Sequence, residues 1–310
     1  MNYIFLVIGF FLLIKGADWF VSGASGIARL LRIPSVMIGL TVVAMGTSAP
    51  ELSVSIAGAL GGQSGISVGN VVGSNLFNLL CVGGISAMIR PIMIDGVLLK
   101  RDIPISLIAA VLFFISAANG YISRWEGTLF LILFTAFLGF MLKDAFHFRA
   151  SSGPKSEMQE AIKPWKAVSF VLFGLLGVIW GGNLVVDSAT AIALQFGLSE
   201  SLIGLTIVAL GTSLPEFVTS LVAAKKGEND IAMGNIIGSN IFNLGLVLGA
   251  AAVIRPMDVE RAVTVDGIFL CIVTLVLLFF ILRDKKLGRG RGTILFLLYL
   301  PYLLYIILRG

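Results

Sequence analysis

Glu51 and Glu216 stand 165 residues apart in almost the same surroundings. The first closes Gly46-Thr47-Ser48-Ala49-Pro50-Glu51, the second Gly211-Thr212-Ser213-Leu214-Pro215-Glu216. Each lies in the middle of a long apolar run that holds no Lys or Arg. A carboxylate at bilayer depth costs at least ~2.5–3.5 kcal/mol on insertion scales, so it must be protonated, paired or bound to a cation. Two ionised glutamates together carry the charge that one divalent cation neutralises. Thr47, Ser48, Thr212 and Ser213 add hydroxyl oxygens beside them. The Gly and Pro of each motif make a poor continuous helix. A break there frees main-chain carbonyls, those of Ala44 and Ala209 being the candidates. Ca²⁺ takes 6–8 oxygen ligands in irregular geometry, and Na⁺ also prefers oxygen. The set lacks the thiolates and imidazoles that suit zinc or copper.

A second motif follows each glutamate. Gly69-Asn70 and Gly73-Ser74-Asn75-Leu76-Phe77-Asn78 recur as Gly234-Asn235 and Gly238-Ser239-Asn240-Ile241-Phe242-Asn243. Ser74 and Asn78 are four apart and share a helix face, as do Ser239 and Asn243. The glycine pairs Gly69/Gly73 and Gly234/Gly238 allow close helix approach, which would bring the Ser/Asn face to the glutamates. Between 38 and 91 the chain matches 203 to 256 at 29 of 54 positions without a gap. The repeat is best kept in polar, helix-unfriendly residues, where lipid-facing helices would drift most freely.

The elements that carry these motifs follow from composition. The chain has 310 residues, 57% hydrophobic and only 13% charged, with mean hydropathy +1.01. A soluble domain carries about 25% charge, so a water-soluble globule, a disordered chain and a secreted disulfide scaffold are excluded. Cutting at charged and Gly/Pro/Asn clusters gives ten apolar segments, near 3–27, 34–60, 66–89, 103–120, 125–142, 166–195, 200–224, 231–254, 265–282 and 292–308. A helix needs about 20 residues to cross the hydrocarbon. The runs are continuous rather than alternating, which argues against a β-barrel. The expected fold is an all-α polytopic membrane protein of ten transmembrane helices. Residues 1–142 form the first half, 143–165 a linker and 166–310 the second half. Five spans per half is odd, so the second copy enters the membrane inverted. Inverted repeats place substrate sites near the midplane and favour alternating access.

Of the 22 Lys and Arg, 17 fall in connections on one side and 4 on the other, with Lys15 inside a span. The positive-inside rule then puts both termini outside the cell membrane and the 143–165 linker in the cytoplasm. The first segment is too long for a signal-peptide core and is read as a retained span. Besides Lys15 and the glutamates, Asp18 and Asp187 are the charges counted within spans. Lys15 and Asp18 are three apart and can pair on one helix, whereas Asp187 breaks the repeat symmetry. Cys81 and Cys271 read as packing residues. His147, the only histidine, reads as a solvated linker residue.

The duplicated Gly-Thr-Ser-x-Pro-Glu and Gly-Ser-Asn-x-x-Asn pattern resembles the alpha repeats of the sodium/calcium exchanger family, within the calcium/cation antiporter superfamily, and most closely its small prokaryotic members. The resemblance covers the whole chain. It implies a 5+5 inverted-repeat fold in which Glu51, Glu216, Thr47 and Thr212 form a Ca²⁺ site. Na⁺ would share the glutamates and use Ser48, Ser74, Ser213, Ser239 and the Ala44 and Ala209 carbonyls. Asn78 and Asn243 would line a middle position, and the first and sixth helices would slide against the other eight. Some members carry Asp where this chain has Asn243, so the site here holds two charges rather than three. The reading is a secondary antiporter exchanging Na⁺ for Ca²⁺, with H⁺/Ca²⁺ or K⁺-dependent Na⁺/Ca²⁺ exchange as the alternative. A cation channel usually assembles around an axis along the membrane normal, unlike this repeat. An intramembrane enzyme lacks a nucleophile or metal-hydrolase motif. The expected partners are Ca²⁺, Na⁺ and the lipid bilayer, with no cofactor and no nucleic acid, and a monomer suffices.

Overall fold

The computed structural model describes residues 1–151, 163–197 and 209–309. These are mostly helical. In the first half, α1 is Asn2–Leu31, α2 Ser35–Thr47, α3 Ala49–Leu60 and α4 Ser64–Ile89. Strand β1 (Ile92–Met93), α5 (Ile103–Ala117), β2 (Tyr121–Ile122) and α6 (Arg124–Ser151) complete it. The second half has α7 (Pro164–Gln195), α8 (Ala209–Gly211), α9 (Leu214–Lys226) and α10 (Asn229–Ile254). Strand β3 (Met257–Asp258), α11 (Arg261–Asp284), β4 (Lys286–Leu287) and α12 (Arg289–Arg309) follow.

Seven of these helices are long and apolar enough to cross a membrane, and α2 and α3, bent by 47° at their junction, are so only when taken together. Two of the ten expected segments are not counted among them. The fourth is 15 residues of regular helix, α5, preceded by a wider π turn at Leu98–Asp102. The seventh begins in residues 200–208, outside the described residues, and continues as α8 and α9. The linker also differs at its start. Helix α6 runs on to Ser151, so exposed His147 lies on a helix rather than in a loop. The mixed charges after Leu142 do not stop a helix, because helix formers such as Met141, Leu142, Lys143 and Ala145 continue it. The rest of the linker, to residue 162, falls outside the described residues.

Local chemistry sets the boundaries. Helix α1 stops at Arg32, in the left-handed region at φ 56°, and Pro34 forbids continuation. Helix α9 ends at Gly227 with φ 83°, and the repeat-equivalent Gly62 after α3 has φ 75°. Both positions need glycine twice over. Their backbone is left-handed, and an arginine from the other half lies where a Cβ would stand, Arg90 over Gly227 and Arg255 over Gly62.

The repeat is visible in the geometry. A wider π turn begins at Asn78 in α4 and at Asn243 in α10, each spanning five residues. Strand β1 pairs with β4 and β2 with β3, so each two-stranded ribbon joins the two halves. The pair Ile92–Leu287 maps onto Met257–Ile122 by the 165-residue offset. The ribbons also tie together connections that an alternating count of spans puts at the same end of the molecule, 90–102 with 285–288 and 118–123 with 255–260.

Packing separates two bodies. The largest core cluster draws on α2 to α6 and α8 to α12 but on no residue of α1 or α7. Those two helices pack on each other along a glycine seam. A Cβ on Gly16 would sit 2.6 Å from the Val178 nitrogen, and one on Gly174 would sit 2.4 Å from that of Phe20. Without a hydrophobic drive in lipid, such backbone contact is what holds helices together. The same device seats α10 on α2, where a Cβ on Gly238 would meet the Leu40 backbone at 2.7 Å. The segment equivalent to that part of α2 lies outside the described residues.

Candidate functional site

The expected breaks occur at the motifs. Helix α2 ends at Thr47 and α3 starts at Ala49, with Ser48 between them. Helix α8 ends at Gly211 and α9 starts at Leu214, with Thr212 and Ser213 between. Pro50 and Pro215 take the second position of α3 and α9, where a missing N–H costs nothing. That puts Glu51 and Glu216 in the first turn of each helix, near its positive end. Both glutamates are 0% exposed.

Ser-x-x-Glu at a helix start is the spacing of a capping box, in which serine and glutamate satisfy their own helix's N–H groups. Neither serine makes a side-chain cap here. Instead the serines cross over. Ser48 donates to Glu216 Oε1 at 2.7 Å, and Ser213 lies 2.9 Å from Glu51 Oε1. Ser213 is also 3.0 Å from the Ser74 hydroxyl, which is 3.4 Å from Glu51 Oε1. The two breaks therefore meet, and each carboxylate is held by the other half.

The facing helices add amides. Asn70 on α4 donates to the Glu51 carbonyl at 3.2 Å and accepts from Thr212 at 3.3 Å. Asn235 on α10 donates to the Glu216 carbonyl at 3.3 Å and accepts from Thr47 at 3.0 Å. Asn75 and Asn240 donate to each other's main-chain carbonyls, both at 3.3 Å, and Asn243 donates to Asn75 Oδ1 at 3.2 Å. Thus Thr47, Ser48, Ser74, Thr212 and Ser213 are tied to the glutamates directly or through Asn70 and Asn235, while Asn243 belongs to a separate cluster with Asn75 and Asn240.

What the site leaves over is oxygen, apart from the amide nitrogen of Asn78. Glu51 Oε2, Glu216 Oε2, Asn78 Oδ1, Asn243 Oδ1 and Ser239 Oγ are buried and accept no hydrogen bond. A buried polar atom without a partner costs about 1–3 kcal/mol, more when charged. No ion pair involves either glutamate among the described residues. Nor do those residues hold three or more His, Cys, Asp or Glu side chains in metal-binding proximity. The chemistry is thus two carboxylates among neutral oxygens, a donor set for a hard cation such as Ca²⁺ or Na⁺.

The Ala44 carbonyl is engaged rather than free, because it accepts the Ser48 N–H at 3.0 Å and lies 3.3 Å from the Thr47 hydroxyl. The carbonyl that loses its helical donor to Pro50 is that of Gly46, four residues back. Ala209 opens α8 at the edge of the described residues. Lys15 does not hold Asp18, which pairs with Lys226 of α9 at 2.7 Å. Lys226 also reaches the Ser22 hydroxyl at 2.6 Å and the Asp18 main-chain carbonyl at 2.8 Å, so its three-point grip outcompetes a single i,i+3 contact. Asp187 is exposed. Two buried carboxylates escaped the count of charges within spans. Asp102 (0% exposed) is paired with Arg101 at 2.6 Å, and Asp266 (3% exposed) lies in α11. Asp102 abuts Arg101 in sequence, the one signal that could have flagged it.

Comparison with known proteins places this geometry. The family model described as sodium/calcium exchanger protein matches residues 1–143 and 166–308. The chain belongs to the sodium/calcium exchanger family. CaxA of Alkalimonas amylolytica, named as a candidate antiporter, is 42% identical over 307 residues, 96% of each chain. The sodium/calcium exchanger MaX1 of Methanosarcina acetivorans is 34% identical, covering 98% of this chain and 97% of that one. Among solved structures, the sodium-calcium exchanger NCX_Mj without Na⁺ and Ca²⁺ matches with TM-score 0.87 and 34% identity, over 98% of both chains. The family is one of multi-pass membrane transporters, not enzymes, and its members exchange cations against Ca²⁺.

Proposed function

We propose that this exchanger moves Na⁺ against Ca²⁺ by alternating access. The ions compete for a midplane site built on Glu51 and Glu216. The observation that carries the reading is the pair of buried glutamates, each with one oxygen bonded to a serine of the other half and one oxygen left over. Two negative charges hold one Ca²⁺ or a set of Na⁺, and a single set of oxygens cannot hold both. That exclusion is the coupling, since a carrier that must be occupied by one or the other ion does not leak. Thr47 and Thr212 complete the Ca²⁺ ligands. Ser48, Ser213, Ser74, Ser239 and the Ala209 carbonyl serve Na⁺, joined by the Ala44 carbonyl once it gives up its longer contact with Thr47, with Asn78 and Asn243 at the middle position.

The separate packing of α1 and α7 supports a two-body motion. A glycine seam lets the pair act as one unit, and small apolar clusters with a few polar contacts from α1 to α9 join it to the rest. Sliding of that unit past the fixed breaks would expose the site to each side in turn. In the ten-span inverted topology, both termini lie outside the cell and the 143–165 linker is cytoplasmic. One chain holds the complete site, so a monomer suffices.

The test is uptake of ⁴⁵Ca²⁺ into proteoliposomes under outward gradients of Na⁺, H⁺ or K⁺, one at a time. Only the Na⁺ gradient should drive uptake, and Glu51→Gln or Glu216→Gln should abolish it. Uptake driven by H⁺ alone, or requiring K⁺ beside Na⁺, would replace the counter-ion. Undiminished uptake by both glutamine variants would remove the site.

A further inference from the structure

We infer that Asn70 and Asn235 are positioning residues of the exchange site. They set the distance between each glutamate and the helix break of the opposite half, and turn the threonine hydroxyls so that their lone pairs face the ion. The inference rests on the reading of Glu51 and Glu216 as the cation site.

Asn235 uses its whole amide. Its Nδ2 donates to the Glu216 carbonyl at 3.3 Å and to the Ser220 hydroxyl at 2.9 Å, and its Oδ1 accepts from Thr47 at 3.0 Å. Asn70 repeats the pattern with the Glu51 carbonyl at 3.2 Å, Ser55 at 3.0 Å and Thr212 at 3.3 Å. A main-chain carbonyl only accepts, so the amide nitrogen must face Glu216 and the amide oxygen must face Thr47. Thr47 is therefore the donor. Its one proton is spent on Asn235 Oδ1 and the nearby Ala44 carbonyl at 3.3 Å, and what remains on its oxygen is lone pair.

The brace also fixes a length. Thr47 reaches the backbone of Glu216 through Asn235, and the next residue, Ser48, bonds the Glu216 carboxylate directly. Main chain and side chain of one glutamate are thus both referenced to the break of the other half. A site that must refill with ions of different size and number needs such a reference, or its oxygens drift apart between occupancies. Asn235 is 0% exposed and Asn70 is half-buried, so the α10 brace bears more of the load.

The experiment is a double-mutant cycle on Thr47→Val and Asn235→Ala, reading ⁴⁵Ca²⁺ binding to purified protein and Na⁺-driven exchange in liposomes. Each single change should raise the half-saturating Ca²⁺ and Na⁺ concentrations on the order of tenfold. The double variant should be no worse than the poorer single, because the hydroxyl is organised only through the amide. Thr47→Ser, which keeps the donor, should restore half-saturation, and Asn70→Ala should show a smaller shift of the same kind. Half-saturation within twofold of the parent in Asn235→Ala, or defects that multiply in the double, overturns the inference. If Asn235→Ala does not fold, Asn70→Ala decides, since Asn70 makes the same three bonds and is no ligand: raised half-saturation supports the brace and half-saturation within twofold of the parent overturns it. Glu216→Gln runs alongside. If it binds Ca²⁺ normally, the glutamate reading has failed. If it is inactive while Asn235→Ala is normal, only the brace has failed.

Discussion

Glu51 and Glu216 have nearly interchangeable surroundings, whereas the contacts that tie α1 to α9 have no counterpart in the other half. At the centre, every serine, threonine and asparagine of the motifs has its partner 165 residues away, and the hydrogen bonds of Asn70 are matched one for one by those of Asn235. At the flank, Asp18 and Ser22 hold Lys226, and Ser25 holds Glu228 at 2.7 Å. The equivalents of Lys226 and Glu228 are Gly61 and Gln63. The difference separates two kinds of constraint. On the proposed alternating access, a site presented in turn to two sides has to look alike from both. The contacts that hold one presentation need not.

The largest effect expected from breaking the central equivalence is at the glutamates. Glu51→Gln and Glu216→Gln remove one of two charges each and should each reduce exchange at least 100-fold, to a similar extent, measured as Na⁺-driven ⁴⁵Ca²⁺ flux. A variant that keeps more than a tenth of the flux would mean that the two carboxylates do not share one ion.

The serines come next and should differ. Among the described residues, Ser48 is the one side chain that hydrogen-bonds the Glu216 carboxylate, whereas Glu51 has Ser213 and a longer contact from Ser74. A hydrogen bond to a charged group contributes about 1.5–3 kcal/mol. Ser48→Ala should therefore weaken half-saturation roughly ten- to a hundredfold and Ser213→Ala less, because Ser74 can close on the oxygen that Ser213 gives up. Equal losses would show that the second donor on Glu51 has no effect.

How far this was legible in the sequence depends on the range of the interaction. The breaks were legible because Gly and Pro act locally, and both fall where Gly-Thr-Ser-x-Pro-Glu puts them. The approach of the Ser74 face of α4 to Glu51 followed from the repeat and a helical spacing of four. The crossing of the serines was not legible. Ser48 and Glu51 have the spacing of a local capping box, and only the meeting of the two halves offers Ser48 a stronger acceptor in Glu216. The direction of each amide also needed the structure, since Asn70 and Asn235 can face either way until a carbonyl fixes the nitrogen. Asp18 was read against Lys15 because a sequence displays its neighbour and not a lysine 208 residues on. The wider turns at Asn78 and Asn243 carry no residue signature, and α5 fell short of a full span because Lys100, Arg101 and Asp102 put three charges into the turn before it.

A subtler asymmetry sits inside the site. The Ser74 hydroxyl is engaged and the equivalent Ser239 hydroxyl is buried without a partner. Ser239→Ala should raise the melting temperature of the ion-free protein, since it deletes an unpaired buried group. It should also shrink the rise in melting temperature that Na⁺ produces, since that rise grows as RT ln(1 + [L]/Kd). A lower melting temperature without ions, or an unchanged response to Na⁺, would place Ser239 outside the set of oxygens the ion uses.

The smallest effect is expected at the flank. The Asp18–Lys226 pair is part-exposed, with side chains 42% and 30% accessible. Such a pair contributes about 0.2–1 kcal/mol, enough to shift a two-state ratio by up to about fivefold. Lys226→Met should change the maximal exchange rate by no more than that factor and leave half-saturating Ca²⁺ alone, because the pair holds a conformation and touches no ion. Parent and variant should converge as salt is raised, since screening removes what the mutation removes. The mirror substitution sharpens the point. Gly61 has φ −75°, which any residue adopts, and Asn183 is the counterpart of Asp18. Gly61→Lys with Asn183→Asp would build the missing pair in the other half and bias the equilibrium towards the opposite presentation. If the flank contacts set the preference, Lys226→Met and the mirror pair should move the rate in the same direction relative to the parent. If the mirror pair is silent while Lys226→Met raises half-saturating Ca²⁺, the lysine acts on the ion path and not on the balance between the two presentations.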